Sequence, residues 1–166
     1  MIIAVISDSH DNIWNLRKAI AVMKAEKTEG IIHCGDFVAP FMLKELEQAE
    51  IPVHGVFGNN DGDQYLLTRS ALTAHQNITL HGLIGRTDWG GRKFCFTHYP
   101  EVAKGLALSA DYDMVCFGHS HVYFQEKRGT AILLNPGEIM GKDGSPGFCL
   151  VDTDNMEVRR IELTGK

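Results

Sequence analysis

The chain has 166 residues, of which 44% are apolar and 22% charged, and its formal net charge is −5. This length and composition predict a single globular domain, 1–166, with an ordinary apolar core. The acidic balance and the scattered basic residues argue against stable nucleic-acid binding, because a duplex binder needs a concentrated basic face.

The opening sequence MIIAVISDSH lacks the basic start and long apolar run of a secretion signal. No apolar run approaches the roughly 18–20 residues needed to cross a bilayer. We therefore expect a cytoplasmic protein without a membrane partner. Each cysteine lies inside an apolar stretch, and no two have C-x-x-C spacing, which favours buried free thiols. These cysteines are Cys34, Cys95, Cys116 and Cys149.

The first half of the chain predicts alternating strands and helices. Strands are expected at Ile2–Ile6, Ile31–Cys34 and Ile51–Phe57. A helix capped by Asn12 is expected after the first strand, with apolar residues at helical spacing, namely Ile13, Leu16, Ile20 and Met23. A second helix begins near Pro40, with Phe41, Leu43 and Leu46 facing inward. This order predicts parallel strands joined by right-handed crossovers.

After a helix over Asp63–His75, the pattern changes to short strands. Gly90-Gly91 predicts a hairpin turn, and a helix follows Pro100. The predicted strands are 78–80, 83–89, 92–97, 114–118, 122–128, 130–134, 147–151 and 156–163. A chain that begins as α/β and ends mostly β suits a layered fold with two packed sheets flanked by helices.

The sequence CFGHSHVYF, residues 116–124, looks like a strand interrupted by His119 and His121. Residues two apart on an extended strand point to the same face. The pattern therefore predicts that both imidazoles are directed at one target.

Metal-competent residues follow five of the predicted strands. The motifs are Asp8-Ser9-His10, Gly35-Asp36, Gly58-Asn59-Asn60-Asp61, Thr97-His98 and Gly118-His119-Ser120-His121. A turn or a structural histidine would explain any one of them, but in open α/β sheets ligands bind beyond the carboxyl ends of the strands. Five such strand ends together predict one shared site.

The donor types indicate which metals that site would bind. Asp, Asn and neutral His suit Mn, Fe, Co, Ni or Zn, and the absence of thiolates argues against a structural zinc site. The candidates exceed what one ion needs and fit two ions that share a carboxylate and clamp a phosphoryl group.

In this order, the five motifs resemble those of the calcineurin-like metallophosphoesterases, and the chain is most similar to the small single-domain bacterial and archaeal phosphodiesterases of that superfamily. The similarity extends to Asn135-Pro136-Gly137. The resemblance implies an α/β fold, a four-layer α/β/β/α sandwich of two mixed β-sheets flanked by helices. It also implies a hydrolase in which a hydroxide between two metal ions attacks a phosphate ester in line.

The resemblance further implies a role for each motif residue. It assigns Asp8, His10 and His121 to one ion, Asn59, His98 and His119 to the other, and Asp36 to both as the bridge. The Asn59 amide would help the ions to stabilise charge on the phosphoryl oxygens. Manganese is the expected ion, with iron, nickel and zinc as alternatives.

Two positions depart from the family pattern. Asn60 stands where many members carry a histidine that assists the leaving group, and an amide is not a general acid near pH 7. Asp61 or Asp11 is a candidate for positioning Asn60. The predicted catalytic residues are Asp36, Asn59, Asn60 and Asp61. We expect diesters with acidic leaving groups to be better substrates than alkyl monoesters. Tyr99-Pro100 replaces the Gly-His that often follows the equivalent of His98.

Two other functions compete with this prediction. A scaffold of the same fold would bind partner proteins without catalysis, but such relatives typically lose metal ligands, and this chain keeps all seven. A protein phosphatase would need additional segments to recognise polypeptides. The predicted substrate is therefore a small-molecule or nucleotide phosphodiester, and homo-oligomerisation is left open.

The remaining polar and aromatic candidates have simpler interpretations. His33 and His54 are expected to be structural or to lie at the rim of the site, and His75 and His81 to lie at the surface. Trp89 and Tyr99 either line a substrate mouth or pack on a sheet. Residues 142–146 are expected to form a solvated connection.

Overall fold

The structure is a computed structural model that describes residues 1–163, so the last three residues of the predicted 1–166 domain lie outside the described residues. As predicted, strands and helices alternate first, and strands dominate later. In chain order the elements are β1 (Ile2–Ile6), α1 (Ile13–Ala25), β2 (Gly30–His33), α2 (Phe41–Glu47), β3 (Val53–Gly55), α3 (Gln64–Ala74), β4 (Ile78–Leu80), β5 (Ile84–Trp89), β6 (Arg92–Thr97), α4 (Pro100–Leu106), β7 (Met114–Cys116), β8 (Tyr123–Arg128), β9 (Ala131–Pro136), β10 (Gly147–Asp152) and β11 (Glu157–Glu162).

Two mixed sheets form the middle of the molecule. The six-stranded sheet has the order β11-β10-β1-β2-β3-β4, and the five-stranded sheet has the order β5-β6-β7-β9-β8. Strands β1 to β4 run parallel to one another, as do β6, β7 and β9, whereas β5, β8, β10 and β11 pair antiparallel with their neighbours. The parallel strands bring their carboxyl ends, and the loops that follow them, to one edge of each sheet.

Three apolar interfaces hold the layers together. Successive residues of a strand point to opposite faces, so Ile6 packs with α1–α3 while Val5 packs against the second sheet. On the far side of the second sheet, Val115 packs with Ala103 of α4. The predicted four-layer α/β/β/α sandwich of two mixed sheets flanked by helices is confirmed.

Local signals in the sequence explain where two helices begin. The Asn12 side chain accepts the Asn15 N–H and caps α1 as predicted, and Asp63 caps α3 by accepting the Leu66 N–H. Gly90 and Gly91 both have positive φ (+60° and +71°), which permits the predicted tight turn between β5 and β6.

Helix α2 differs from the prediction at one residue. Leu43 and Leu46 are buried as expected, but Phe41 is 50% exposed and Met42 is buried instead. Residues 42, 43 and 46 share one face of the helix, and residue 41 lies on the opposite side. The expectation that Phe41 faces inward was therefore wrong.

The four cysteines are buried and free, as predicted. Within residues 1–163, no helix combines the length and apolar character needed to span a membrane.

Candidate metal centre

The predicted motifs occupy the loops after β1, β2, β3, β6 and β7, and these loops meet at one edge of the sandwich. They border an open cavity of about 450 Å³. The residues lining it are His10, Asp36, Asn59, Asn60, His119, Ser120, His121, Met140, Lys142 and Asp143. Among them the Asp36 carboxylate is buried, whereas Asn59, Asn60 and His119 are exposed.

We call Asp8, His10 and His121 the first cluster. One side-chain ligand atom from each lies within 4.8 Å of the others. Asp8 Oδ1 is 3.4 Å from His121 Nε2 and 3.8 Å from His10 Nε2. Asp8 Oδ1 is buried and has no hydrogen-bond partner among the described residues, whereas the buried His10 Nε2 atom faces the Asp36 carboxylate. The carboxylates of Asp36 and Asp8 favour the imidazolium form of His10 and raise its pKa to about 9.

We call Asn59, His98 and His119 the second cluster. Asn59 Oδ1 lies 2.9 Å from both His98 Nε2 and His119 Nδ1. His98 is buried, and its Nδ1 is 2.9 Å from the carbonyl oxygen of Cys34. Because that carbonyl can only accept, Nδ1 carries a proton, and a neutral His98 ring presents the lone pair of Nε2 to the cavity.

Asp36 lies between the two clusters. Its Oδ2 atom is 3.2 Å from His10 Nε2 and 3.5 Å from His98 Nε2. Asn60 fixes the carboxylate, since its backbone N–H donates to Oδ1 and its side-chain amide donates to Oδ2. Burial alone would raise the pKa of Asp36, but the His10 ring and the Asn60 donors outweigh it and hold this pKa below its usual range.

Asp61 is buried below this cavity rather than at its surface. Its two oxygens accept the backbone N–H groups of Asp36, Gly58 and Val38 at 2.7–3.0 Å. Burial is the main influence on this carboxyl, and it raises the pKa of Asp61 despite those three donors. Asp61 thereby ties the loop after β2 to the loop after β3.

The predicted strands at 114–118 and 122–128 are present, but the interpretation of the histidines between them as part of an extended strand was wrong. Strand β7 ends at Cys116 and β8 begins at Tyr123, and the loop between them carries both histidines. His119 and His121 have left-handed backbones, with φ values of +72° and +59°. The alternation rule does not apply to such a loop, so His119 faces Asn59 while His121 faces Asp8.

The backbone of these loops is strained. Non-glycine residues rarely adopt positive φ, yet Asp8, His10, Asp36 and both histidines of the 118–121 loop do so. Two glycines permit the close approaches: a Cβ at Gly58 would overlap the Asp36 carboxylate, and one at Gly118 would overlap Ser7. Strain of this kind clusters at functional sites, where the surrounding structure holds the required geometry.

The sequence did not indicate three residues that the structure places at this centre. Glu138 is buried and lies 2.8 Å from His121, with its Oε2 facing Nδ1. Burial favours its neutral form, but backbone N–H groups near Asp143 outweigh this and lower the pKa of Glu138. Lys142 and Asp143 line the cavity, so the expectation of a merely solvated connection at 142–146 was wrong. The only signal was the position of Glu138 directly after Asn135-Pro136-Gly137.

Other predicted residues fall outside the cavity. His33 is fully buried and structural, as expected. The prediction that His75 and His81 lie at the surface was wrong. His75 is buried with Nδ1 3.1 Å from Glu47, and the His81 ring stacks on His54. Burial lowers the pKa of both His54 and His81.

The two aromatic candidates differ in their surroundings. The Trp89 ring packs against His54 and Phe94, which is the sheet-packing interpretation. The Tyr99 ring instead lies next to the rings of His98 and His119, at the edge of the second cluster.

The donor set fits bound cations. In the second cluster, the Nε2 lone pair of a neutral His98 ring meets the side-chain oxygens of Asn59 and Asp36. In the first cluster, the buried Asp8 Oδ1 atom has no hydrogen-bond partner among residues 1–163. Electron-rich atoms facing one another, or left unpaired when buried, are costly unless a cation compensates them. Carboxylate, amide and imidazole donors suit a divalent transition metal.

A four-layer sandwich with this donor set at its strand ends defines an α/β protein with a candidate site for divalent metal ions. The chain belongs to the calcineurin-like phosphoesterase superfamily, whose domain model matches residues 1–156. It is accordingly a metal-dependent phosphoesterase.

Individual relatives agree with this assignment. The chain is 34% identical to the phosphodiesterase MJ0936 of Methanocaldococcus jannaschii, over 98% of this chain and 99% of that protein. It is 29% identical to YsnB of Bacillus subtilis, a probable metallophosphoesterase, over 99% of this chain and 93% of that protein. The structure matches that of an archaeal phosphodiesterase with a TM-score of 0.91 and 33% identity, over 98% of this chain and 99% of that chain.

Proposed function

We propose that the protein is a phosphodiesterase with a two-ion centre. The first cluster would hold one ion, the second cluster the other, and Asp36 would contact both. The position of Asp36 Oδ2, 3.2 Å from His10 of one cluster and 3.5 Å from His98 of the other, carries this proposal. The printed name of the Methanocaldococcus jannaschii relative, a phosphodiesterase, supports the reaction class.

Bound divalent ions supply positive charge that stabilises the phosphoryl oxygens and activates water for attack. The chain's own residues prepare that environment. Asn60 holds the Asp36 carboxylate through two hydrogen bonds. Asp61 accepts three backbone N–H groups and so fixes the loops after β2 and β3. We assign Asn60 and Asp61 to positioning. Asn59 and His119 are more exposed and lie on the substrate side.

The chemistry of residue 60 determines the preferred substrate. The Asn60 amide already donates to Asp36, and an amide has no proton to give a leaving group near pH 7. Esters whose leaving group is stable as an anion should therefore react fastest. We propose a small-molecule or nucleotide phosphodiester as the substrate, manganese as the ion, and a single catalytic domain in the cytoplasm.

The test is hydrolysis of a matched ester panel by metal-stripped protein to which Mn, Fe, Ni, Co or Zn is returned singly. We expect p-nitrophenyl diesters to be hydrolysed with higher kcat/KM than alkyl monoesters, and manganese to restore the most activity. The Asp36→Asn variant, purified identically, controls for contaminating phosphatases. A higher kcat/KM on alkyl monoesters would contradict the substrate assignment. Absence of activity with every metal would favour the scaffold alternative.

A further inference from the structure

Glu138 is a buried carboxylate with a partner for each oxygen. It is 1% exposed and follows strand β9. Its Oε2 atom lies 2.8 Å from His121 Nδ1, and its Oε1 atom accepts the backbone N–H groups of Asp143 and Gly144 at 2.6 and 2.8 Å. Glu138 therefore connects His121 to the loop at 141–146.

The first of these contacts determines the tautomer of His121. An ionised carboxylate can only accept hydrogen bonds, so the proton of a neutral His121 ring resides on Nδ1. Nε2 then presents a lone pair, and this is the atom that lies 3.4 Å from Asp8 Oδ1 in the first cluster. Metal-binding histidines commonly have their other ring nitrogen held in this way by a carboxylate or carbonyl.

The second contact holds a segment of the cavity wall. Lys142 and Asp143 line the cavity, and the two N–H groups bound by Glu138 belong to residue 143 and the residue after it. Lys142 is a cation beside a cavity in which a phosphate ester is expected. The position of this cation depends on the loop, and the loop is anchored on the same carboxylate as His121.

We propose that Glu138 is a positioning residue that fixes the metal-binding tautomer of His121 and anchors the 142–144 segment at the cavity wall. The proposal rests on the proposed role of His121 as a metal ligand. It predicts that the two functions can be separated, because each uses a different oxygen of one side chain.

Glu138→Gln is the informative substitution. The two backbone N–H groups require an acceptor, so the amide oxygen should remain with them and the NH₂ group should face His121. A donor at that place forces His121 Nδ1 to accept and moves the ring proton to Nε2. The loop stays anchored, but the nitrogen facing Asp8 loses its lone pair.

The first readout is independent of catalysis. In metal-free protein, ¹⁵N NMR of the imidazole nitrogens should show His121 protonated at Nδ1 in the wild type and at Nε2 in Glu138→Gln. The second readout is Mn²⁺ affinity by calorimetry, which should fall about 10- to 100-fold in the variant, as for other outer-shell partners of metal ligands. Glu138→Ala should additionally raise KM, because the loop loses its anchor.

The chain offers a matched control. Glu47 forms a similar carboxylate–histidine contact, with Oε2 3.1 Å from His75 Nδ1, outside the cavity. Glu47→Gln should leave Mn²⁺ affinity and KM unchanged. Asp143 Oδ2 also lies 3.4 Å from His121 Nδ1, so Asp143→Asn tests whether that carboxylate sets the tautomer instead. An unchanged His121 tautomer in this variant would support the role of Glu138, and a changed one would assign the role to Asp143.

The outcomes separate the two proposals. If a folded Glu138→Gln variant keeps the wild-type Mn²⁺ affinity and the wild-type His121 tautomer, the role of Glu138 is overturned. It is also overturned if His121 of the wild-type protein is protonated at Nε2. The wild-type tautomer is measurable even if the variant does not fold. If His121→Ala binds Mn²⁺ as tightly as the wild type, the ligand assignment itself fails, and with it the premise of this inference.

Discussion

The two ligand clusters differ in how far the protein has already satisfied their hydrogen bonding. In the first cluster, Asp8 Oδ1 is buried without a hydrogen-bond partner among the described residues, and the neighbouring His10 Nε2 lies 3.2 Å from Asp36 Oδ2. In the second, Asn59 Oδ1 lies 2.9 Å from His119 Nδ1, which can donate to it, and also 2.9 Å from the Nε2 lone pair of His98. A cation at the first cluster would compensate the unpaired Asp8 oxygen, whereas one at the second would also have to replace the contact between His119 and Asn59.

Because of this difference, two clusters with similar donor types need not bind a metal ion with equal affinity. An unsatisfied buried polar atom costs about 1–3 kcal/mol, and a bound cation removes that cost. Charge acts in the same direction, because the first cluster contains its own carboxylate and the second depends on Asp36 for one. We therefore expect the first cluster to bind its ion more tightly.

Removing the charge shared by both clusters should have the largest effect. Asp36→Asn keeps the shape of the side chain but lowers the negative charge facing His10 and His98, so kcat should fall by at least about 10³-fold, a large value for loss of one electrostatic contributor. Steady-state kinetics on a p-nitrophenyl diester measures it.

Ser120→Ala is the matched control for this loss. Ser120 also lines the cavity, but its hydroxyl accepts from Asn135 at 3.0 Å and belongs to neither cluster. It should retain most of the activity. Comparable losses in the two variants would show that Asp36 does not have a shared role.

The comparison between clusters is tested most directly by removing one ligand from each. Asp8→Asn should weaken the tighter Mn²⁺ site at least about 100-fold, since losing a ligand costs no less than losing its outer-shell partner. Asn59→Ala should weaken only the looser site. Calorimetric titration of metal-stripped protein resolves the two. If Asn59→Ala instead abolishes the tighter site, the proposed order of affinities is reversed.

His33 reports on the packing beneath the clusters. Its Nε2 is 3.1 Å from Ser9 Oγ, its Nδ1 accepts the Gly35 N–H, and burial lowers its pKa to about 3. The unfolded chain, with a histidine pKa of about 6.5, takes up a proton first as pH falls, so the folded state loses stability below that pH.

Between pH 6.5 and 5, this proton uptake should lower the free energy of unfolding of the metal-free wild type by about 2 kcal/mol. His33→Gln should not show this decrease. Urea denaturation at several pH values measures the two slopes. His54→Gln is the control, because His54 is only half buried and should change the slope less. Equal slopes for wild type and His33→Gln would mean that His33 is not held neutral.

The last expected effect is the pH dependence of metal affinity at the first cluster. His10, with its pKa raised to about 9, is protonated at neutral pH in metal-free protein and must lose that proton to bind an ion. Mn²⁺ affinity at this site should rise by up to about tenfold per pH unit between pH 6.5 and 8. Calorimetry in buffers of different ionisation enthalpy should detect the released proton. An affinity independent of pH would contradict the charged His10.

The sequence by itself predicted that the motif residues meet, because parallel strands place their carboxyl ends at one edge. An apolar run followed by Asp8, Asp36 or His98 contains both the strand and the candidate ligand within a few residues. The assignment of Phe41 to the core was wrong because helical spacing does not show which face of the helix the neighbouring layer covers. Strands and motif positions were predictable because neighbouring residues determine them. The face of a helix that packs against another layer was not predictable from the sequence.

The path of the loops was decided by tertiary structure. Alternation predicted that His119 and His121 share a target, but their left-handed backbones direct them to Asn59 and Asp8. Backbone strain of this kind persists only where distant groups hold it, as the Asp8 carboxylate does by accepting the His119 N–H at 3.1 Å. No local pattern records such a contact.

The sequence thus determined the family, the layers and the residue types of the centre, because hydrophobic periodicity and motif order are properties of short segments. Only the folded chain could place Glu138 behind His121 and Asp61 beneath Asp36. Both are buried carboxylates, and a carboxylate is retained in a protein interior when donors from elsewhere in the chain converge on it. Those donors come from segments that become neighbours only when the sheets pack together.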